Sequence, residues 1–380
     1  MSSENITVKK LEQKDYVRHY LTLNLNKAYS IEQIEKEYKN AYQYFIDLNM
    51  DIVYEKCFGL LNTKNKLSFL REEISNHYNI QLPPLSYIEG TPAYGTALSS
   101  ITIYGIHKKD KNVQLEYITN ESGGTIGTKV ITSQMEYIYL MNINNVHHSY
   151  TMSEFAATFA WLGDFMKKNE LLGPHLVRTW IYLNDINNNY EQLNTDRRVF
   201  FERFAIDYSE KSNILPASTC IGGISDKKCN ISMDVMFLKR KNDRPIIERV
   251  YTALLNEAEG VEYLFKPTFS RALKIEDEGN IEIQLSGTAS VNSLGRTEFK
   301  NDAYKQIKKA LENVTSILES NNLTFDHFYQ STCFFKRQQD VHIFEKLLKE
   351  LNIPAFANTF VVNDVCRDDL LFEIDGIIIK

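Results

Sequence analysis

The sequence predicts an α/β (α+β) fold made of three similar units, each a mixed sheet with helices packed on one face. Two observations support this prediction. The same order of helix-like and strand-like segments occurs three times in the 380 residues, and in each unit a proline separates the second helix from the last strands. Three such units in one chain, at 1–110, 111–240 and 241–380, predict a body with pseudo-threefold symmetry.

The first unit begins with a long amphipathic helix pattern at 30–50. Its apolar residues Ile34, Tyr38, Ala41 and Phe45 recur at steps of three and four residues, as the buried face of a helix requires. A strand, a second helix and two further strands follow, at 51–61, 66–78, 85–90 and 99–106.

The second and third units repeat this order of helix, strand, helix and two strands. In the second unit the segments are 151–172, 175–186, 190–206, 215–224 and 230–238. In the third unit they are 301–322, 327–338, 340–351, 353–362 and 370–379. The stretches at 108–150 and 225–300, rich in strand formers, are predicted to supply the remaining strands.

Charge and cysteine content narrow the class of protein. A net charge of −6 gives no general attraction to nucleic acid or to an anionic membrane. The five cysteines are scattered and odd in number, which favours free thiols in a reducing cytosol. No signal-peptide pattern or membrane-spanning apolar run is visible, so we predict a cytoplasmic protein.

No cofactor or metal is predicted. His147 and His148 are adjacent, and neighbouring residues on an extended chain point in opposite directions. Cys220 and Cys229 lack partners at the spacing of a zinc site.

The closing segment, DVCRDDLLFEIDGIIIK at 364–380, places Glu373 inside an apolar strand. A carboxyl between Phe372 and Ile374 is expected to have a raised pKa, because desolvation disfavours its charged form, and it could then serve as a general acid. Strand alternation leaves an alternative open. It puts Glu373 on the same face as Asp375, which is also consistent with a glutamate on a solvated face.

The three units offer a comparison for this acid. Counting 19 residues on from one proline of each unit leads to Ile103, Val235 and Glu373. The prolines compared are Pro84, Pro216 and Pro354. Asp234 is one place away in the second unit. The count predicts one active centre, in the third unit, with the other units serving as scaffold.

The predicted units resemble the RidA/YjgF fold, whose members are homotrimers with a site at each subunit interface. Three units in one chain would mimic that trimer. The C-terminal two thirds resemble the chorismatase family in five pieces: VRTWIYLNDIN at 177–187, LPASTCIG at 215–222, FSRA at 269–272, LSGTASV at 285–291 and DVCRDDLLFEIDG at 364–376. The first 110 residues resemble it only at the level of the fold.

The resemblance implies an enzyme that cleaves chorismate and releases pyruvate. The family's catalytic glutamate lies in the last strand, which is the place of Glu373. A cysteine seven residues upstream marks members that form a hydroxybenzoate; Cys366 stands there, and 3-hydroxybenzoate is the favoured product. The alternatives are the same fold acting on an amino analogue of chorismate or another enol ether, and a non-catalytic small-molecule binder.

Chorismate has two carboxylates, so bidentate arginines are expected around it. Arg367 is the first candidate, with Arg271 and Arg178 as further ones; for Arg178 a surface charge or an ion pair between units is an equal alternative. Small side chains and backbone amides are predicted to line the pocket at Ser286, Gly287, Thr288 and Ala289. Gly287 permits close backbone approach.

Two departures from known patterns bear on function. The arginine that follows Pro-Ala in RidA-type imine deaminases is replaced by Phe356 and Ser218, which argues against imine hydrolysis. Chorismatases have a loop rich in proline and tyrosine between the second and third units, and the stretch at 250–268 differs from it. Either Tyr251 or Tyr263 could replace the missing tyrosine. A chain that contains its own pseudo-trimer has less need to assemble, so we predict a monomer whose partner is its small-molecule substrate.

Overall fold

The computed structural model describes residues 5–25, 27–144, 152–209, 212–225, 229–242, 245–255, 267–277 and 279–380. These residues contain three mixed sheets and six α-helices. In this part of the chain no helix is both long enough and apolar enough to cross a bilayer.

Within the described ranges, eighteen strands and six α-helices follow one another. The first part contains β1 (Ile6–Glu12), β2 (Tyr16–Leu23), α1 (Ile31–Asp47), β3 (Asp51–Gly59), α2 (Lys64–Tyr78), β4 (Leu85–Glu89), β5 (Thr91–Pro92) and β6 (Leu98–Lys108). The second contains β7 (Gln114–Thr119), β8 (Thr125–Ile131), β9 (Met135–Ile143), α3 (Glu154–Lys168), β10 (Leu176–Leu183), α4 (Ile186–Arg203), β11 (Ala217–Gly222) and β12 (Ile231–Arg240). The third contains β13 (Ile246–Arg249), β14 (Ala272–Asp277), β15 (Asn280–Ala289), α5 (Ala303–Glu319), β16 (Phe328–Phe335), α6 (Val341–Glu350), β17 (Thr359–Val362) and β18 (Phe372–Ile379).

The three sheets share one strand order. The orders β2-β6-β3-β4, β9-β12-β10-β11 and β15-β18-β16-β17 are the same arrangement. In each, the strand that comes last in sequence (β6, β12 or β18) lies antiparallel between two neighbours. The remaining pairs, β3–β4, β10–β11 and β16–β17, are parallel because a helix connects their two strands. This topology confirms the predicted fold class. The unit boundaries at 110 and 240 stay a prediction; the main strands of each sheet fall within one of these ranges, except that β5 pairs with β17 of the third sheet.

Each sheet packs one face under its own two helices, and the three opposite faces meet in a central core rich in tyrosine. Helix α5 illustrates the outer packing. Its N-cap Asp302 accepts a hydrogen bond from the Lys305 amide, and its buried residues recur at steps of three and four. Asn313 on this helix donates to the backbone oxygens of Ala289 and Val291, at 3.0 Å each, and so holds the end of β15.

Buried ion pairs join the three units to one another. In the part of the chain that the structure describes, one such pair lies at each interface: Arg18 Nη1 to Glu282 Oε2 at 2.5 Å, Lys56 Nζ to Asp234 Oδ2 at 3.0 Å, and Arg178 Nη2 to Asp375 Oδ2 at 3.1 Å. A buried ion pair costs desolvation, but breaking one by removing a single partner is strongly unfavourable. These pairs therefore fix how the sheets meet.

Candidate active site

The candidate site is a pocket where the second sheet meets the third. Edge strand β11 approaches β15, and the Ser218 amide donates to Ser286 Oγ at 2.8 Å. Ser286 Oγ in turn donates to the Ser270 oxygen at 2.5 Å. The pocket is lined by Tyr190, Arg197, Ser218, Cys220, Pro267, Phe269, Arg271, Gly287, Ala289, Val291, Gly295, Cys366, Arg367, Leu370 and Glu373.

Glu373 lies in the wall of this pocket, on β18, and its side chain is buried with the residue only 3% exposed. Burial, followed by the nearby charge of Asp375, raises the pKa of Glu373 to about 8, although Arg178, Arg271 and Arg367 pull it down. The predicted rise in pKa is therefore present in the structure, and the solvated alternative is wrong. The carboxyl is protonated at neutral pH and can donate a proton.

Gly287 lies directly against this carboxyl. The β15–β18 register shifts between Leu285 and Thr288, and the bulge brings the glycine toward β18. A Cβ atom added to Gly287 would lie 1.8 Å from Glu373 Oε1. The glycine therefore permits close approach of the β15 backbone to the Glu373 carboxyl.

The predicted small-residue wall has two functions. Gly287 and Ala289 line the pocket, whereas Ser286 and Thr288 do not. The Ser286 hydroxyl ties β15 to β11, and Thr288 Oγ1 donates to the Ser286 oxygen at 2.9 Å. The two hydroxyl residues thus shape the strand rather than the cavity.

Two of the three predicted arginines reach the pocket. Arg367 donates from Nη1 to the Gly295 oxygen at 2.6 Å, and Arg271 stacks on Phe269 with its guanidinium carbon 5.4 Å from the ring centre. Arg178 does not line the pocket. It is fully buried, contacts Asp375 and Thr219, and makes the ion pair between units that was its alternative.

A third pocket arginine, Arg197, was missed from the sequence. It is buried on α4, donates to Asn194 Oδ1 at 2.5 Å, and lies 5.8 Å from the Phe269 ring centre. Its Nε has no hydrogen-bond partner in the described part of the chain. A signal was available, because Leu193, Arg197 and Phe200 share the four- and three-residue spacing of the buried face.

Two cysteines line the pocket near Glu373. Val365 pairs with Ile221, which brings Cys366 toward Cys220 on the facing segment. Burial, and then the charge of Glu373, raises the pKa of Cys366 to about 12. Burial also raises the pKa of Cys220. Both thiols are therefore neutral at physiological pH and act as small, weakly polar groups.

The residues equivalent to Glu373 in the other two units are not those that counting along the chain predicts. Rings of Phe58, Tyr182 and Phe334 meet at the centre, where Phe58 lies 5.8 Å from Tyr182 and 5.7 Å from Phe334. Their partners on the last strands are Ser100, Ser232 and Glu373. These residues are the structural equivalents, and the assignment to Ile103 and Val235 is wrong.

The physical reason for the error is the spacing before the parallel strand. Val361, the parallel partner of Phe334, comes seven residues after Pro354, whereas Ile88 and Ile221 come four and five residues after their prolines. Of the three equivalent residues Ser100, Ser232 and Glu373, however, only Glu373 is acidic. The inference of one acidic centre therefore still holds. Asp234 corresponds to Asp375 instead.

Some predicted candidates lie elsewhere. Tyr251 is half exposed and does not line the pocket. Tyr263, His147 and His148 lie outside the described residues. Within the described ranges, no group of three or more His, Cys, Asp or Glu side chains could hold a metal ion.

A solved structure has the same architecture. Over 86% of its length, the chain superposes on a crystal structure of a chorismatase, of which 92% is covered, with a TM-score of 0.61 and 16% identity. A YjgF gene product from E. coli matches 35% of the chain and 98% of its own length, with 25% identity and a TM-score of 0.27. The chain thus has the fold of a chorismatase, which confirms the resemblance at that level.

One curated relative is similar in sequence. A 3-hydroxybenzoate synthase from Streptomyces hygroscopicus is 24% identical over 230 residues, which are 53% of this chain and 63% of the relative. The match therefore spans less than two thirds of that protein. No protein-family model matches the chain.

Proposed function

We propose that this protein is an enzyme that cleaves the enolpyruvyl ether of chorismate and releases pyruvate and a hydroxybenzoate, with 3-hydroxybenzoate the favoured product. The observation that carries the proposal is a buried carboxyl, Glu373, in a pocket lined by Arg197, Arg271 and Arg367. The fold shared with a chorismatase and the sequence similarity to a 3-hydroxybenzoate synthase support it.

The chemistry asks for an acid that still has its proton near neutral pH. Glu373 transfers that proton to the methylene carbon of the enolpyruvyl group, and the ether oxygen stabilises the resulting cation. Water adds to the cationic carbon and gives up a proton to the Glu373 carboxylate, which restores the acid; the neutral hemiketal then collapses to pyruvate and a ring alcohol, its hydroxyl proton passing to the ring oxygen. Loss of one water from the ring then gives the hydroxybenzoate, so the net reaction consumes no water.

The cationic lining suits a substrate with two carboxylates. Arg367 and Arg271 lie on segments that precede β18 and β14, and Arg197 lies on α4, so the guanidinium groups come from three different segments. Planar guanidinium groups bind carboxylates through paired hydrogen bonds. One carboxylate is on the ring and the other on the enolpyruvyl group, so two separated anchors orient the ether toward Glu373.

Cys366 is proposed to select the product. Its neutral thiol lies next to Glu373, where it offers a weak hydrogen-bonding group in place of a strongly polar one. The resemblance, in which a cysteine at this place marks members that form a hydroxybenzoate, assigns Cys366 the choice between aromatisation and retention of a second ring hydroxyl. With Cys366→Ala, we expect pyruvate release to continue while the ratio of hydroxybenzoate to dihydroxycyclohexadiene carboxylate changes.

The proposal is tested by incubating purified protein with chorismate, following pyruvate, and identifying the second product by mass spectrometry. Glu373→Gln should lower pyruvate release at least 100-fold, in line with the contribution of general acids. Glu276→Gln, on partly exposed β14, is the matched control and should retain activity. Unchanged release in Glu373→Gln would overturn the mechanism. No turnover of chorismate or of its amino analogue would favour a small-molecule binder.

A further inference from the structure

A second buried carboxylate accompanies Glu373. Asp375 lies two residues further along β18, so the two side chains share one face of the strand. Asp375 is 3% exposed, and its Oδ2 accepts hydrogen bonds from Arg178 Nη2 at 3.1 Å and from Thr219 Oγ1 at 2.8 Å. The mechanism proposed above uses neither Asp375 nor Arg178.

We propose that Asp375 is a positioning residue for the site, whose ion-paired carboxylate holds the Glu373 carboxyl in the protonated form that acid catalysis needs. This inference rests on the proposed function, since it explains how the acid is kept ready. The Cα atoms of two residues at this spacing on a strand are about 7 Å apart, and two carboxylates on the same strand face in a poorly solvated interior do not both ionise easily.

The Asp375 carboxylate is held in place by its hydrogen bonds to Arg178 and Thr219. The Arg178 guanidinium is fully buried and stacks on Trp180, with its central carbon 4.5 Å from the ring centre. Lys56 of the first unit also contacts this ring, at 3.9 Å from its centre. Arg178 is thereby held in place, and all three units contribute to the support of one carboxylate.

The other groups facing Glu373 come from several elements. Those that titrate or carry charge are Arg178 on β10, Cys220 on β11, Tyr190 and Arg197 on α4, Arg271 before β14, and Cys366 and Arg367 before β18. The neighbouring strands β15 and β16 present Gly287, Ala289 and Phe334, which do not titrate. The arginines favour ionised Glu373, and Asp375 opposes them.

The second unit contains a matched control. Asp234 occupies the register position of Asp375 and accepts from Lys56 Nζ at 3.0 Å and from the Tyr182 hydroxyl at 2.9 Å. The residue two places before it is Ser232, where the third unit has Glu373. Asp234 therefore belongs to the same kind of buried ion pair without an acid beside it on its own strand.

The test is a direct titration of Glu373 in the full chain. Protein labelled with ¹³C at glutamate side-chain carboxyls is followed by NMR between pH 4 and 10, and the Glu373 signal is assigned by its loss in Glu373→Gln. Asp375→Asn should lower the titration midpoint by about one pH unit or more, because it removes the like charge and leaves Arg178 uncompensated. Asp234→Asn should leave the midpoint unchanged.

Two outcomes overturn the proposal: an unshifted midpoint in Asp375→Asn, or an equal shift in both asparagine variants. If Asp375→Asn does not fold, the double variant Arg178→Met/Asp375→Asn removes the unpaired cation as well. It should still lower the midpoint, by a smaller amount, and an unshifted midpoint would again refute the role of Asp375. The readout needs no substrate, so its result is separate from whether chorismate is cleaved.

Discussion

Gly287 and Glu373 are in direct contact across the β15–β18 pair, with no space between them for a side chain. A Cβ on the glycine would lie 1.8 Å from the carboxyl oxygen and 2.7 Å from the carboxyl carbon. Neither distance is compatible with van der Waals contact. The carboxyl of Glu373, which projects from the apolar strand β18, is therefore held against the backbone of β15.

Gly287→Ala is expected to displace the Glu373 side chain. We predict at least a 100-fold loss of pyruvate release and a loss of stability of about 1–3 kcal/mol, as is usual for overpacking. Activity assays and thermal unfolding check this. Gly124→Ala is the control, because its added Cβ would lie 3.4 Å from the nearest atom, in Asn120. Normal turnover in Gly287→Ala would contradict the packing argument.

The pH dependence of activity follows from the protonation of Glu373. Its pKa of about 8 means that the acid is protonated below that pH and loses its proton above it. We therefore expect kcat/KM to be level at lower pH and to fall about tenfold per pH unit above the midpoint. Steady-state rates between pH 6 and 10 test this, and a profile that stays level to pH 10 would be inconsistent with Glu373 as the acid.

The same pKa predicts that Glu373 destabilises the fold at neutral pH. The ordinary value of 4.5 applies to the unfolded chain, and the folded value is about 8. Between these values the unfolded chain releases a proton that the folded protein keeps, so stability falls as pH rises through this window. Glu373→Gln lacks this titration.

We therefore expect the stability of Glu373→Gln, relative to the native sequence, to increase by about 3 kcal/mol from pH 4.5 to pH 7. Urea unfolding of both proteins at the two pH values measures this difference. An equal difference at both pH values would show that Glu373 titrates alike in the folded and unfolded states.

Arg367 is predicted to bind a substrate carboxylate through its fork of donors. Arg367→Lys keeps the charge and loses the paired geometry, so we expect KM to rise about tenfold with a smaller effect on kcat. The control is Arg296→Lys, at an exposed position in the loop between β15 and α5, which should leave kcat and KM unchanged. If the two variants have the same kinetics, Arg367 does not contact the substrate.

The repeat and the acid could be predicted from sequence because both depend on local chain order. Helix periodicity and proline positions locate the elements, and Glu373 interrupts an apolar strand that periodicity defines. The register across units could not be obtained by counting. The third unit has extra residues between its proline and the parallel strand, and hydrogen bonding rather than chain length sets the alignment.

The arginines show a different limit. Arg178, Arg271 and Arg367 all lie in segments that resemble a known family, yet the structure brings only Arg271 and Arg367 to the pocket. Strand alternation sets the face on which a side chain lies, but whether that face meets a pocket or another sheet depends on how the sheets pack. Arg197 lies outside those segments and was therefore missed. The sequence signal that could have found it is its position among the buried residues of α4.

Strand β5 gives the three-part architecture a mechanical property. It leaves the first sheet after β4 and pairs with the edge of β17, so that Thr91 and Pro92 lie opposite Val362 and Val361. If the first unit unfolds, β17 loses its pairing with β5 and becomes an unpaired edge strand of the third sheet. Its backbone N–H and C=O groups would then be exposed. The first unit therefore cannot melt on its own without disturbing the sheet that contains Glu373, and heat should unfold the chain in one cooperative step.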